Sequence, residues 1–424
     1  MTLPKLLLAL GLAMPALIWS CGSARISEEE MDKNALAIHE RTLTLDTHID
    51  WPSRQLRNPG FVPGERHQPY KRQSGQWDLV RMKEGGLDAV FMSIFTAQGP
   101  RNEEGHQKAK EHALKLIDLT AKLAADYAGQ TGLALTAEQV EQLVQDGKRA
   151  ILMGMENGYP LGEEIKNVEL FYNLGVRYIT ITHSRNNELG DSSTDPTQEW
   201  DGLSPLGEQV VREMNRLGLM VDISHVHDDT FWDVMKIVQA PVIASHSSSW
   251  TMCRHARNMK DDMLKEVARN GGVVQVCLLD EFIKKMPANP EREAALKPLQ
   301  EMRNRWRKGE LSEEEEVEMW NKFGEIDEKF PARRPHLKDG VDHIDHMVKV
   351  MGIDHVGIGS DFDGGGGLVE IADVSEMPNI TKELLRRGYS EAEIQKIWGG
   401  NLLRVMRANE ETARKLQARK ATTE

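Results

Sequence analysis

The sequence predicts an α/β fold, a (β/α)8 TIM barrel, from two observations. Short β-branched apolar runs alternate with longer amphipathic stretches, which is typical of a parallel sheet with crossover helices. The runs number eight, which is the strand count that closes such a barrel. They lie near 43–49, 87–95, 149–157, 176–184, 219–226, 241–248, 271–279 and 355–364.

The stretches between these runs predict helices. Apolar residues recur at three- and four-residue steps in HQKAKEHALKLIDLTAKLAADYA, PLGEQVVREMNRLG, DDTFWDVMKIV and DMLKEVARN, and several of these end in glycine, as a helix would. Residues from about 280 to 336 break this rhythm, because they are highly charged, helix-prone and punctuated by proline. We predict a helical insertion after the seventh strand, either a solvated decoration or a segment that acts as a lid or binds a partner. The final ARKLQARKATTE predicts a fraying basic tail.

Composition suits a soluble, acidic globular protein. The chain has 424 residues, 40% of them hydrophobic and 28% charged, with a net charge of −13. We expect one elaborated domain over residues 22–420. No basic stripe interleaved with aromatic residues is present, so the sequence argues against nucleic acid as a partner.

The first 21 residues predict an export signal. Lys5 precedes the apolar run LLLALGLAMPALIW, and the small-residue stretch SCGS follows it. The run is short for a membrane span, which favours cleavage over a permanent transmembrane helix. Residues 18–21 also resemble the cleavage box of bacterial lipoproteins, in which Cys21 becomes the lipidated first residue; plain secretion is the alternative. Either way we expect an exported protein, periplasmic or membrane-anchored outside the cytoplasm.

The chain has only three cysteines, Cys21, Cys253 and Cys277, too few for a disulfide framework in an exported chain of this size. Cys253 and Cys277 could pair if the fold brings them together. Two buried free thiols are the simpler prediction.

Ionisable residues follow the predicted strands at their carboxyl ends, where a barrel of this type builds its active site. Residues i and i+2 of a strand share one face, so two side chains in DTHID can bind one ion together. Histidine nitrogens and carboxylate oxygens at this density favour a cation such as Zn²⁺, although Mn²⁺ or Co²⁺ would also suit them. These residues are His48, Asp50, Glu156, His183, His225, His246 and Asp361.

Five ligands are too many for one tetrahedral zinc and suit two zinc ions that share a bridge. Glu156 is the predicted bridge, because its two oxygens can bind one ion each. His48 and Asp50 would complete one site, and His225 and His246 the other. Two ions about 3.5–4 Å apart would hold a bridging hydroxide near neutral pH, a nucleophile that needs no activated serine or cysteine.

Eight motifs resemble the membrane dipeptidase family, the M19 peptidases, including its bacterial members. The resemblance spans residues 40 to 407 or so and implies a dinuclear zinc enzyme that hydrolyses dipeptides. It also implies a barrel related to the amidohydrolases, a homodimer, and the same five metal ligands. The motifs are DTHID, MENG, RYITITH, GLMVDISHV, APVIASHSS, ARNMKDD, GIGSDFDG and GGNLLRV.

The resemblance implies three further roles. His183 aligns with a histidine that stabilises the carbonyl oxygen as it becomes an oxyanion, and Arg257 with an arginine that holds the substrate. Asp361 aligns with an aspartate near the bridging water. A carboxylate at that place can accept the proton of the water and deliver it to the leaving amine. We therefore predict Asp361, His183 and Glu156 as catalytic, and His183, Arg257 and Asp361 as substrate-binding. A surface salt bridge is the alternative for Arg257.

The loop after His183, SRNNELGDSS, departs from the family pattern. Asn186, Asp191 and Ser192 fit it, whereas Glu188 differs from the aromatic-containing version of vertebrate members. We expect this loop to line the substrate pocket. Side-chain preference and the choice between L,L- and L,D-dipeptides therefore stay open, with L,D-dipeptides as a hypothesis.

Several polar residues near the mouth receive lesser roles. We expect Asp191 and Asp363 to support or cap loops, and His227 to be a loop residue. The remaining histidines are expected to be structural, and they are His255, His343, His346 and His355. Two rival functions remain: an amidase or lactonase acting on non-peptide substrates, and a binding protein without turnover.

Overall fold

The computed structural model of the chain describes residues 27–67, 75–307 and 311–421. The predicted export signal and Cys21 lie outside the described residues. None of the described helices is long and apolar enough to cross a membrane.

Eight parallel strands form the barrel and confirm the predicted fold class. Their order follows the chain, and a bridge between Ile49 and Phe362 joins the first strand to the segment after the last. Each matches one of the predicted runs. The strands are β1 Leu45–Ile49, β2 Ala89–Phe95, β4 Arg149–Glu156, β5 Val176–Thr180, β6 Met220–Asp222, β7 Ile243–Ala244, β8 Val273–Cys277 and β9 Val356–Gly359.

A ninth strand, β3 (Thr131–Leu133), was not predicted. It pairs in parallel with the first residues of β4, with Gly132 opposite Ala150, and it is not one of the eight strands that form the barrel. Three residues are too few to show an apolar alternation in sequence, and this strand exists because β4 offers it an edge.

Helices connect the strands and cover the barrel. Gly218 and Gly271 end α7 and α9 in the left-handed conformation, with φ of 87° and 83°, as the glycine positions predicted. The helices are α1 Glu28–Arg41, α2 Trp51–Arg57, α3 Leu79–Glu84, α4 Glu103–Asp126, α5 Ala137–Gln145, α6 Lys166–Asn173, α7 Pro205–Leu217, α8 Asp228–Ile237, α9 Asp261–Asn270, α10 Asp280–Ile283, α11 Pro290–Leu296, α12 Gln300–Arg307, α13 Glu313–Lys329, α14 Leu337–Met351, α15 Pro378–Arg386, α16 Glu391–Gln395 and α17 Asn401–Ala421.

The segment after β8, the seventh strand of the barrel, is helical as predicted. It contains α10 to α13, and a capping box between Ser312 and Glu315 begins α13. The predicted fraying tail is wrong for most of its length, because α17 continues to Ala421 and buries Ala413.

The amino-terminal end of the barrel is closed by an apolar cluster. Phe91, Leu152 and Tyr178 from the strands pack in one cluster with Leu402 and Met406 of α17. Fully burying one such side chain stabilises the fold by roughly 1.5–3 kcal/mol. The described cavity therefore lies at the opposite end of the barrel, where the strands end.

Candidate active site

A cavity of 670 Å³ opens where the strands end. Its floor consists of six of the predicted residues: His48, Asp50, Glu156, His225, His246 and Asp361. All of these line the cavity except His48, which lies fully buried beneath Glu156. His183 and Arg257 line the wall. The fold therefore brings every predicted site residue to one place.

The chain turns sharply where the floor residues leave their strands. His225 and Asp361 have positive φ angles of 68° and 62°, in the left-handed region that non-glycine residues rarely adopt. Such residues cost roughly 1–3 kcal/mol each and cluster at functional sites. A backbone hydrogen bond from Asp361 N to His48 O, 3.1 Å long, ties the last floor residue to the first.

Glu156 lies at the centre of the floor with its two oxygens facing different imidazoles. Its Oε1 is 3.1 Å from His225 Nε2 and 3.4 Å from His246 Nε2. Its Oε2 is 3.3 Å from His48 Nε2, which is itself 3.5 Å from Asp50 Oδ2. This is the arrangement that a carboxylate bridging two cations requires.

The donor set fits a pair of divalent cations. His48 Nε2 and His225 Nδ1 are buried and have no hydrogen-bond partner among the described residues, and His225 Nε2 lies only 2.8 Å from His246 Nε2. Among the described residues, possible ligand atoms that lie within 4.8 Å of one another form three groups. The membership of these groups differs from that of the two predicted sites. The groups are His48 with Glu156 and His246, Glu156 with His183 and His225, and His48 with Asp50 and Asp361.

A glycine keeps space open beside the carboxylates. A Cβ atom at Gly364 would lie 2.2 Å from Asp50 Oδ2 and 2.3 Å from Asp361 Oδ1. Any side chain at this position would therefore displace two floor residues.

Hydrogen bonding fixes the tautomer of His48. The Tyr178 hydroxyl donates to Thr47 O at 3.1 Å, so its oxygen must accept the proton of His48 Nδ1, 3.0 Å away. His48 therefore presents Nε2 to the floor. Despite burial, Tyr178, Glu156 and Asp50 raise the pKa of His48 well above its ordinary value, so a cation would bind Nε2 in place of a proton. Such partners orient metal-binding histidines and tune their affinity.

A second chain of hydrogen bonds fixes His246. Asp222 Oδ2 accepts the hydroxyls of Thr180, at 2.5 Å, and Ser245, at 2.6 Å, while its Oδ1 accepts the backbone N–H groups of Ser224 and Ser245. Because the Ser245 hydroxyl proton is donated to Asp222, Ser245 Oγ accepts the proton of His246 Nδ1, 2.8 Å away. His246 Nε2 therefore also presents a lone pair to the floor.

Sequence analysis missed these supporting residues. Asp222 is a charged residue between the apolar residues Val221 and Ile223, which was an available signal, and Ser245 directly precedes His246. Tyr178 gave no such signal, because its strand also contains other polar residues. Their roles depend on contacts between strands, which the sequence does not show.

Burial and neighbouring charges set the protonation of the floor. Burial alone would raise the pKa of Glu156, but His48 and His183 hold that pKa well below its ordinary value. Burial lowers the pKa of both His225 and His246, which keeps them neutral as cation ligands must be. For Asp361, burial raises the pKa well above the ordinary range despite the opposing effect of His48.

Arg257 is buried on the cavity wall, which rules out the surface salt bridge. Its guanidinium donates to His246 O at 3.0 Å and to Ser247 Oγ at 3.4 Å, while Nε has no hydrogen-bond partner. His183 packs against Phe95, with ring centroids 4.7 Å apart, and its Nε2 is 3.4 Å from Glu156 Oε1.

The loop after β5 lines the cavity as expected, but Glu188 does not take part. The Glu188 carboxylate is buried between Arg101 Nε, at 2.9 Å, and His106 Nε2, at 2.8 Å. Its departure from the family pattern therefore concerns how the loop is anchored. The outer wall of the cavity, here called the rim, contains Arg57, Ser184, Arg185, Thr194 and Pro196.

The lesser roles predicted for Asp191, His227 and Asp363 are confirmed. Asp191 accepts backbone N–H groups from Glu199, Trp200 and Gly202 and so caps its loop, and His227 caps the amino terminus of α8. Asp363 accepts from Gln76 N at 2.8 Å.

Three other histidines, His343, His346 and His355, are hydrogen-bonded within the fold, as expected. His255 accepts from Arg257 N at 3.2 Å and packs against Phe282, which agrees with the structural role expected for it; that it also lines the cavity was not predicted. It sits on the loop after β7, whose path to the cavity depends on contacts that the sequence does not show. Cys253 and Cys277 are buried free thiols, the simpler of the two predictions.

Comparisons with known proteins agree with this geometry. Residues 32–420 match the model of the membrane dipeptidase family, peptidase family M19. The chain is 33% identical over 374 residues to dipeptidase tcpJ of Claviceps purpurea, an alignment that covers 87% of this chain and 77% of that protein.

Solved structures share the fold. The crystal structure of the probable dipeptidase PvdM from Pseudomonas aeruginosa is similar with a TM-score of 0.76 and 31% identity, over 91% of this chain and 100% of that one. A metallo peptidase from Rhodobacter sphaeroides, liganded with a phosphinate mimic of the dipeptide L-Ala-D-Ala, has a TM-score of 0.68. Its identity is 24%, over 87% of this chain and 99% of that one, which supports a shared fold alone.

Proposed function

Since the chain belongs to the membrane dipeptidase family of metallopeptidases, M19, we propose that it hydrolyses the peptide bond of dipeptides with two bound zinc ions. The observation that carries the proposal is the central position of Glu156, whose two oxygens face different imidazoles. The residues that would hold the ions are His48, Asp50, Glu156, His225 and His246.

The protein's own groups divide the remaining work. When bound, the two ions would polarise the substrate carbonyl and lower the pKa of the attacking water. Asp361 accepts the proton of that water on a carboxylate oxygen and passes it to the leaving amine, a transfer that its raised pKa favours. His183, on the wall beside Glu156, donates to the carbonyl oxygen as negative charge develops there.

Arg257 would bind the free carboxylate of the substrate. Its guanidinium is buried on the wall, and its unpartnered Nε is a donor that a carboxylate would satisfy. Because Arg257 lies next to the floor residue His246, holding the carboxylate there would explain a restriction to very short peptides.

We also propose that L,D-dipeptides are among the substrates. The Rhodobacter sphaeroides structure, which shares the fold, holds a mimic of L-Ala-D-Ala, and this supports testing both configurations. The loop that lines the cavity contributes Arg185, Thr194 and Pro196 to the surface that would contact the second residue.

Elemental analysis and a dipeptide assay test the proposal together. We expect two zinc ions per chain and hydrolysis of L-Ala-L-Ala and L-Ala-D-Ala that chelation abolishes and zinc restores. One ion or none, with no cleavage after metal is restored, would overturn the dinuclear dipeptidase. Cleavage of L-Ala-L-Ala alone would remove only the L,D proposal.

The variant Arg257→Gln separates a dipeptidase from an amidase or lactonase on uncharged substrates. For a dipeptidase, KM for L-Ala-L-Ala should rise while cleavage of the carboxyl-blocked L-Ala-L-Ala amide, already slow, should change little. Zinc content must be measured in parallel, because Arg257 also bonds His246 O. Equal losses on both substrates at full zinc content would contradict carboxylate binding.

We further propose export to the outside of the cytoplasm, a lipid anchor at Cys21 and assembly as a homodimer. The sequence of residues 1–21 supports the first two, and family membership supports the third. Fractionation of cells that express the full chain or Cys21→Ala tests the anchor, and light scattering of the purified protein tests the dimer. A soluble full chain or a monomer would overturn the respective proposal.

A further inference from the structure

Two arginines of the rim face the cavity without a close ion-pair partner. Arg57, the last residue of α2, lines the cavity and makes no ion pair or hydrogen bond within the described part of the chain. Arg185 reaches a carboxylate only at 4.0 Å, in Asp195, and its side chain is 61% exposed. Asp195 is itself satisfied by backbone N–H groups of Asn186 and Thr197.

The carboxylates that line the same cavity are already engaged. Asp363 accepts from Gln76 N and lies 3.7 Å from Arg54. The other three, Asp50, Glu156 and Asp361, belong to the floor, where two divalent cations and the hydroxide between them would balance the three negative charges. The positive charge that an incoming substrate meets therefore comes from the arginines of the cavity, Arg57 and Arg185 on the rim and Arg257 on the wall.

Arg257 and the two rim arginines would bind different groups of the substrate. Arg257 is buried on the wall, bonded to His246 O and Ser247 Oγ, and under the proposed function it takes the α-carboxylate of the dipeptide. The cavity of 670 Å³ has room for a substrate side chain beyond the peptide backbone, since ligand pockets range over roughly 300–1,000 Å³. Among the described residues, a second acidic group on the substrate would find Arg57 without a carboxylate partner and Arg185 with only Asp195, 4.0 Å away.

We infer that Arg57 and Arg185 form a subsite for the carboxylate of an acidic side chain, so that the protein prefers dipeptides containing aspartate or glutamate. The inference rests on the proposed function. A guanidinium presents paired N–H donors that match a carboxylate. Both arginines are exposed, so each contributes roughly 2- to 5-fold in kcat/KM, and the preference weakens as salt screens the charges.

Isosteric substrate pairs isolate the charge of the side chain. We compare kcat/KM for L-Ala-L-Glu with L-Ala-L-Gln, and for L-Glu-L-Ala with L-Gln-L-Ala, in the zinc-loaded enzyme at low and high salt. The expected acid-to-amide ratio is roughly tenfold in at least one pair at low salt. Arg57→Gln and Arg185→Gln should each reduce that ratio, and the double variant should bring it close to one.

Arg212→Gln is the matched control, because Arg212 is an exposed arginine of α7 that does not line the cavity. It should leave the ratio unchanged. A wild-type ratio near one in both pairs, or a ratio that survives the double variant, overturns the inference while hydrolysis of L-Ala-L-Ala still upholds the proposed function. If no dipeptide is cleaved by the zinc-loaded enzyme, both are overturned.

Discussion

The floor and the rim of the cavity are held by different means. Floor residues such as Glu156 and His225 are 4% and 8% exposed, and they stand on or just after strands of the barrel. Rim residues such as Arg57 and Arg185 are exposed and stand at a helix end or in a loop. The barrel thus fixes the groups assigned to the reaction, while loops that can change without disturbing the barrel present the groups assigned to substrate choice.

We expect the largest difference between floor and rim when one buried glutamate of each region is replaced by glutamine. The two are Glu156 in the floor and Glu188 behind the rim. Glu156→Gln removes the bridging charge, and we expect loss of zinc and a fall in kcat/KM of more than about 10³-fold, since removing a mere supporting group already costs 10–100-fold. Elemental analysis and the L-Ala-L-Ala assay measure both effects.

Glu188→Gln is the control for that variant, because Glu188 anchors the loop behind the rim. It should retain two zinc ions per chain and alter the relative rates on different dipeptides. If Glu188→Gln lost zinc as Glu156→Gln does, floor and rim would not be separate units.

Asp361→Asn separates proton transfer from metal binding within the floor. The amide cannot take up a proton, so kcat should fall by about 10²–10⁴-fold, the usual contribution of general acid–base catalysis. Zinc content should be retained, because the five predicted ligands are untouched. A variant that kept full kcat would remove Asp361 from the proton-transfer step.

Sequence alone located the floor well and the rim poorly, for a physical reason. In a parallel barrel every strand ends at the same face, so His48, Glu156 and His246 had to meet once the strands were recognised. Loop positions carry no such constraint. The place of Arg57 on the rim follows from the length and direction of α2, and that of Arg185 from a loop tied to Arg101 by Glu188.

The sequence did not predict the hydrogen bonds that support the floor histidines, for a related reason. Asp222 of β6 reaches Ser245 beside the adjacent strand β7, whereas Tyr178 of β5 reaches His48 of β1 across the interior of the closed barrel. Neither contact follows from sequence spacing. The short strand β3 escaped because it has too few residues to form a pattern. A single sequence thus predicts which groups meet at the ends of the strands, and it does not predict contacts that depend on how strands and loops pack together.

Ser245→Ala tests whether the floor depends on these bonds. Without the hydroxyl, His246 Nδ1 loses its acceptor, and we expect zinc affinity at the His225–His246 position to fall 10–100-fold. Ser245→Thr keeps the hydroxyl and should restore it. Competition with a chromophoric chelator measures the affinity, and equal values for wild type and Ser245→Ala would show that His246 needs no orienting partner.

The smallest expected effect concerns His343, which supports the wall from behind. This α14 residue is 1% exposed, accepts from Ser249 N at 3.1 Å and lies 2.9 Å from Ile283 O, to which its other nitrogen donates. It thereby ties together the segments after β7 and β8 that carry Arg257 and Phe282. Burial lowers the pKa of His343 to about 4.

Because the unfolded histidine takes up a proton near pH 6.5 and the folded one only near pH 4, acid favours unfolding in this interval. Between pH 7.5 and pH 5 the wild type should lose about 2 kcal/mol of unfolding free energy through this residue. Urea denaturation of zinc-loaded wild type and His343→Gln measures it. The variant should be less stable at pH 7.5 and lose less on acidification; parallel curves would mean that other buried histidines, closer to the floor, carry the acid sensitivity.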